Sequence, residues 1–265
     1  MKLLTVSFPA VLLLTLFSGK ASVYDVAPAK ITAAAMAITI ARADADAKTA
    51  AARPVLAPED QAVNLYRKLQ LEARGLNEAS FLIAMRGYRE LRKKGRLRNS
   101  NVLTIIDYTL SSLRKRLFVM DIRSGRLLYN TFVAHGMKSG GEYARKFSNA
   151  PESNESSLGF YVTMNTYKGK HGLALRLKGL ERGINDNALS RGIVLHGAPY
   201  VSARYGRGLG FMGRSEGCPA VPQEEAGGII RSISNGSAVF AYYPSQLYLG
   251  KSRLLEGSSK TFASR

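Results

Sequence analysis

The sequence predicts a mainly β fold, a sandwich or barrel with short helices, preceded by a helical pair. Three observations carry that expectation. Apolar residues recur at helical spacing up to about residue 98. After Asn101 they gather in short β-rich runs. Stretches rich in Gly, Ser and Asn separate those runs.

Residues 1–21 have Lys2, an apolar run from Leu3 to Phe17, and the small-residue site Ser18-Gly19-Lys20-Ala21. The run is short for a membrane span and Pro9 interrupts it, so a cleaved export signal is expected, with an uncleaved anchor as the alternative. Residues 22–57 are Ala-rich, lack an apolar face and read as a linker. A helical segment is expected over 58–98. Glu59 and Asp60 suit a first turn, Val63, Tyr66, Leu69 and Ala73 share a face, and Gly75 stops the run. Asn77 is a suitable N-cap for a second helix, with Phe81, Met85 and Tyr88 on one face and Gly95 at its end. The Arg/Lys cluster from Arg86 to Arg98 reads as a solvated face.

Strands are expected at Val102–Tyr108, Leu117–Ile122, Leu127–Ala134, Leu158–Met164, Leu173–Leu177, Gly192–Leu195 and Ser237–Tyr243. Arg123-Ser124-Gly125 makes the second and third a hairpin, Gly136 to Ser157 forms a long loop, and Pro222 opens a short helix. These elements define a catalytic domain over 99–245, followed by a polar tail over 246–265.

Composition bounds the chemistry. Lys+Arg total 38 against 19 Asp+Glu, a net charge of +19 that attracts polyanions. For an exported chain the partners are envelope polymers or anionic lipid, and no interleaved basic–aromatic motif points to nucleic acid. One Cys and three His exclude an intramolecular disulfide and do not supply a paired-thiolate zinc site, so no metal or cofactor is expected.

The single thiol, Cys218, sits in Gly213-Arg214-Ser215-Glu216-Gly217-Cys218-Pro219-Ala220-Val221. A free thiol is a liability in an oxidising compartment, and its small and polar neighbours do not resemble a core strand. It reads as a nucleophile, which needs a base. His196 ends an apolar strand and precedes Gly197; the loop Ala198 to Gly217 then leads to the thiol. His135 stands in a similar setting, Val133-Ala134-His135-Gly136, and could also serve; loop proximity favours His196. His171, in the turn Lys168-Gly169-Lys170-His171-Gly172, reads as a surface residue. Amides at Gly217 and Cys218 are candidate oxyanion donors, and the helix opening at Pro222 could point its dipole at the thiolate.

These residues resemble the L,D-transpeptidase catalytic domain, the YkuD-like family. His196-Gly197 and Arg214-Ser215-Glu216-Gly217-Cys218-Pro219 match its opening His and closing cluster. A divergent branch is more similar. Its blocks occur here in order as Val133 to Gly136, Phe147-Ser148-Asn149, Ser156-Ser157-Leu158-Gly159, His196-Gly197-Ala198 and Gly213 to Val221. The resemblance covers roughly Val102 to Tyr243. Glu216 replaces the family's second His, and Pro219-Ala220 replaces a hydrophobic-Asn pair.

The resemblance implies a β-rich fold and acyl transfer on peptidoglycan stem peptides, with Cys218 as nucleophile and His196 as base. The Gly197 carbonyl would steady the imidazole. Arg214, Ser215, His135, Asn149, Ser157 and Tyr200 are expected to bind substrate, Arg214 by pairing with a stem carboxylate or else with Glu216 or Glu224. Release of D-Ala from a thioester followed by amine capture would give a 3-3 cross-link. Water capture would make an L,D-carboxypeptidase. An amide hydrolase of the wall with the same dyad, and an inactive wall-binding module, are the alternatives.

Overall fold

The structure is a computed structural model that describes residues 57–170 and 172–256. The expected export signal, all but the last residue of the Ala-rich linker, and His171 lie outside these residues. No helix among the described residues is long and apolar enough to cross a membrane.

Two helices come first. Helix α1 (Pro58–Lys68) has Pro at its start, Glu59 and Asp60 in its first turn and Arg67 and Lys68 in its last, all favourable to the helix dipole. It ends earlier than the periodicity predicts, because the chain turns tightly through Gln70 (φ 51°) before Gly75. Helix α2 (Glu78–Lys93) begins as expected, with Asn77 Oδ1 accepting from Ala79 N at 2.8 Å. It buries Phe81, Ile83, Ala84, Met85, Tyr88 and Leu91 in the same core as the strands.

Eight strands follow: β1 (Val102–Asp107), β2 (Leu117–Asp121), β3 (Arg126–Thr131), β4 (Gly159–Gly169), β5 (Gly172–Gly179), β6 (Val194–Ala198), β7 (Ala220–Pro222) and β8 (Ala238–Tyr242). They form one mixed sheet in the order β3-β2-β1-β8-β4-β5-β6-β7. β1 is buried along its whole length, between antiparallel β2 and parallel β8. That explains why its residues are mostly apolar on both faces, with Thr104 the one polar residue before Asp107 at its end, rather than alternating.

The sheet nearly closes on itself, which makes it the barrel form of the predicted fold. The chain leaving β3 runs on to the opposite edge, where Ala134 N donates to Ala220 O of β7 at 2.8 Å. Ser215 N donates to His135 O at 3.0 Å and Met137 N to Ser215 O at 2.7 Å. The β7 edge is thus paired beside the one cysteine by the chain that leaves β3.

Two elements beside the cysteine were not expected from the sequence. Strand β7 is three residues long and sits inside the nucleophile motif. Helix α3 (Ala203–Leu209) lies in the loop between β6 and β7, where Ser202 Oγ accepts from Tyr205 N at 3.2 Å. The helix expected after Pro222 is α4 (Gln223–Ile233), which crosses over from β7 to β8 and buries Ala226, Ile229, Ile230 and Ile233. The expected polar tail begins with a further helix, α5 (Gln246–Lys251). Buried Glu181 anchors it, accepting from Tyr248 Oη at 3.3 Å and from Ser252 Oγ, while also accepting from Phe160 N at 2.6 Å.

The close approach of α2 to the sheet is set at Gly87. A Cβ there would come within 2.2 Å of the Phe160 ring, which stacks on Phe240 with centroids 4.2 Å apart. Gly87→Ala gains about 1 kcal/mol of helix propensity, whereas overpacking a stacked core costs about 1–3 kcal/mol. The packing term is the larger, so the variant should unfold at a lower urea midpoint than the wild type. An unchanged or raised midpoint would show that the interface can give.

Candidate active site

The site is built on the last parallel pair of strands. β6 and β7 register His196 opposite Ala220 and Ala198 opposite Pro222. Cys218 lies two residues before Ala220, in the bend that leads into β7. His196 and Cys218 both line one cleft of about 380 Å³ with Met137, Tyr167, Lys170, Tyr200, Arg214 and Glu216.

The sulfur is half-buried and makes two backbone contacts. Val194 N–H donates to Sγ at 3.4 Å, and Gly192 O lies 3.8 Å from it as acceptor. Burial pushes the Cys218 thiol pKa up, against the Val194 amide and the Arg191 charge, which pull it down; Glu216 adds to the rise. At neutral pH the resting side chain is the thiol, and its attack requires a base.

His196 is oriented for that work. Its Nδ1 lies 2.9 Å from Gly197 O, which only accepts, so Nδ1 carries the hydrogen and Nε2 the lone pair. Gly197 has no side chain because Gln223 and Ala226 of α4 press on it. A Cβ would meet Gln223 Oε1 at 2.8 Å.

His135 is placed differently. It is fully buried and does not line the cleft. Arg116, itself fully buried, donates from Nη2 to His135 Nδ1 at 2.7 Å, and His135 Nε2 lies 3.3 Å from Gly140 O. Burial first, and Arg116 second, push its pKa down to about 3. A neutral ring held at both nitrogens is neither an accessible base nor a substrate contact. It braces the segment that flanks Ser215.

Other expected residues divide in the same way. Arg214 and Tyr200 line the cleft, and Arg214 Nη1 donates to the carbonyls of Met137 and Gly140, each at 3.1 Å. The two ion pairs among the described residues are Arg86–Glu59 and Lys94–Glu90, so Arg214 is not tied to Glu216 or Glu224. Ser215 also lines the cleft, but its Oγ donates to Cys218 O at 2.6 Å and accepts from Gly217 N at 3.1 Å, clamping the turn. That bond engages one of the two expected oxyanion donors, leaving the Cys218 amide as the candidate.

Ser157 is buried under Arg191, with Oγ donating to Ser148 O at 2.7 Å. Asn149 faces a separate groove of about 330 Å³, and its Nδ2 donates to Asp186 Oδ1 at 2.7 Å. Neither meets the cleft. The expected helix dipole is absent from the sulfur too, since α4 starts only after β7, at the Ala198 end of the pair. Sequence reasoning missed Lys170 and Tyr167, which the long β4–β5 hairpin carries to the cleft, and Arg191. The extension of β4 past Met164, through the alternation-breaking Asn165 and Thr166, hid that hairpin.

A family model described as the L,D-transpeptidase catalytic domain matches residues 72–242. No curated protein matches the chain. Among solved structures, an L,D-transpeptidase from Mycobacterium smegmatis shares 15% identity over 54% of this chain and 59% of that one, TM-score 0.35. L,D-transpeptidase 3 from Mycobacterium tuberculosis shares 14% over 54% and 61%, TM-score 0.36. The helical cell shape determining protein Pgp2 from Campylobacter jejuni shares 13% over 60% and 54%, TM-score 0.37. The chain thus spans 54–61% of the length of these three solved chains.

The neutral buried His135 makes stability depend on pH. Its pKa is depressed in the fold from an ordinary 6.5 to about 3, so only the unfolded chain takes up the proton in between. Its contribution is complete above pH 6.5 and falls by about 1.4 kcal/mol per unit below it. His135→Gln should therefore flatten the fall in unfolding free energy from pH 6.5 to 5 relative to wild type. Parallel pH curves for the two proteins would show that the ring is protonated in the fold.

Proposed function

The chain belongs to the L,D-transpeptidase catalytic-domain family, and from that premise we propose that it catalyses cysteine-dependent acyl transfer on peptidoglycan stem peptides. The observation that carries the reading is the shared cleft of Cys218 and His196, set by the β6–β7 register, with the imidazole tautomer fixed by Gly197 O.

The donor is a stem peptide ending in D-Ala after the L-centre of a diamino acid. His196 Nε2 takes the thiol proton as Sγ attacks the carbonyl carbon at that L-centre. The carbonyl π electrons move to oxygen, which the Cys218 amide stabilises in this reading. The intermediate collapses, the C–N bond breaks, and D-Ala leaves as an amine carrying the proton from His196. A thioester remains on Cys218. A side-chain amine of a second stem then attacks, His196 accepts its proton and returns it to sulfur, and a 3-3 cross-link is released. With water in place of the amine the product is a shortened stem.

Lys170 and Arg214 face the cleft as cations, suited to the carboxylates of such peptides, and guanidinium matches a carboxylate in bidentate fashion. A net charge of +19 suits retention among anionic envelope polymers, and the segment over 1–21 suits export to them.

Purified sacculi digested with the protein should yield new 3-3 dimers by mass. Shortened tetrapeptides alone would assign hydrolysis, and unchanged muropeptides would reject catalysis. Cys218→Ala and His196→Ala should each lower turnover by about 10³-fold or more. Glu216→Gln removes an exposed charge that only opposes the thiolate, and should keep activity within about tenfold. Equal loss in Glu216→Gln and Cys218→Ala would overturn this division of roles.

A further inference from the structure

The stretch from Arg191 to Val194 wraps the nucleophile. Gly192 O and Val194 N–H contact the sulfur itself. Arg191 lies behind the turn. Its Nη2 is 3.3 Å from where a Cβ on Gly217 would be, and Glu155 O is 2.9 Å from that point, so only glycine leaves room there.

The guanidinium is tied at four points. Nη1 donates to Ser148 O at 2.8 Å and Ser157 Oγ at 2.6 Å; Nη2 donates to Ser153 Oγ at 3.0 Å and Glu155 O at 2.7 Å. All four acceptors are neutral, and neither ion pair among the described residues involves Arg191. A half-buried cation is thus fixed beside the thiol, its charge unmatched at contact distance.

We propose that Arg191 is a positioning residue for Cys218: it pins the Ser148–Ser157 loop against the Gly217–Cys218 turn and supplies a fixed positive charge that favours the thiolate. Other charged or titratable groups also face the sulfur. Glu216 and Arg214 come from its own loop, Lys170 from the β4–β5 turn, His196 from β6, and Tyr200 and Tyr108 from the segments after β6 and β1. Glu216 opposes the thiolate. Lys170 favours it, but it is exposed at the mouth of the cleft, where water and salt screen its charge. Arg191 is held in place and partly desolvated, so its field at the sulfur is the more persistent. Its charge is among the influences that draw the thiol pKa down against burial.

The proposal rests on Cys218 being the nucleophile, but its test reads sulfur ionisation without any murein assay. The rate of Cys218 alkylation by iodoacetamide is measured against pH for the full chain and its variants. Arg191→Gln should move the midpoint up by about one pH unit. Ser153→Ala keeps the charge and three of the four guanidinium bonds, and should leave the midpoint within about 0.3 unit of wild type. An unmoved midpoint in Arg191→Gln overturns the proposal. So does an upward shift of about one pH unit in Ser153→Ala, which settles the matter even where Arg191→Gln does not fold. A protein inert on sacculi that nonetheless shows these shifts would sink the proposed function and leave the role of Arg191 standing.

Discussion

Three residues of parallel pairing, Ala220–Pro222 against His196–Ala198, hold the site together. A strand so short supplies few hydrogen bonds of its own, so it is secured from outside. On one side, Ala134 N bonds Ala220 O and the His135–Met137 backbone brackets Ser215. On the other, α4 packs Gln223 and Ala226 onto Gly197. The bracket is itself gripped by Arg116, whose Nε and Nη2 both reach Val133 O and whose Nη1 reaches Leu110 O. Burying a guanidinium is expensive, and here every donor direction named ends on an acceptor within the fold. Its pKa still falls to about 10, and at neutral pH it keeps its charge. The sheet closure and the catalytic geometry are therefore one structure, not a scaffold with a site added.

That closure explains the division of labour between two histidines in similar sequence settings. Both follow an apolar run and precede a glycine. His196 belongs to a strand whose end opens into the cleft, and the carbonyl beside it fixes one nitrogen. His135 belongs to the segment that crosses beneath, where a buried cation meets one nitrogen and a carbonyl the other. The chain alone does not distinguish them, because the difference lies in Arg116, distant from the motif in sequence.

Much of the fold was legible for plain physical reasons. The Asn77 cap, the β2–β3 hairpin and the buried run of β1 are local signals written in local residues. What escaped was set by tertiary context. β7 was invisible because Pro219 and Pro222 flank two small residues, and such a segment is a strand only through its neighbours. Helix α5 was read as tail because its partner is Glu181, a buried carboxylate far back in the chain. In the site, Cys218, His196 and Gly197 stood out by residue type. Asn149 and Ser157 also lie in blocks shared with the family, yet they build the loop wall rather than the cleft. A motif match reports a fold's requirements as readily as its chemistry.

The electrostatics of the sulfur bear on how such an enzyme must start. Burial pushes the Cys218 thiol pKa up, so the resting sulfur is protonated at neutral pH. Glu216, whose charge also raises the thiol pKa, sharpens the point. Beside a permanent thiolate its charge would oppose the resting state throughout the cycle. Beside a neutral thiol it would oppose only the passage from proton transfer through the tetrahedral oxyanion, whose collapse leaves a neutral thioester. A carboxylate is therefore tolerable next to this nucleophile so long as deprotonation and attack are coupled. The Val194 amide at the sulfur and the neutral-acceptor anchorage of Arg191 then act at the moment that coupling demands.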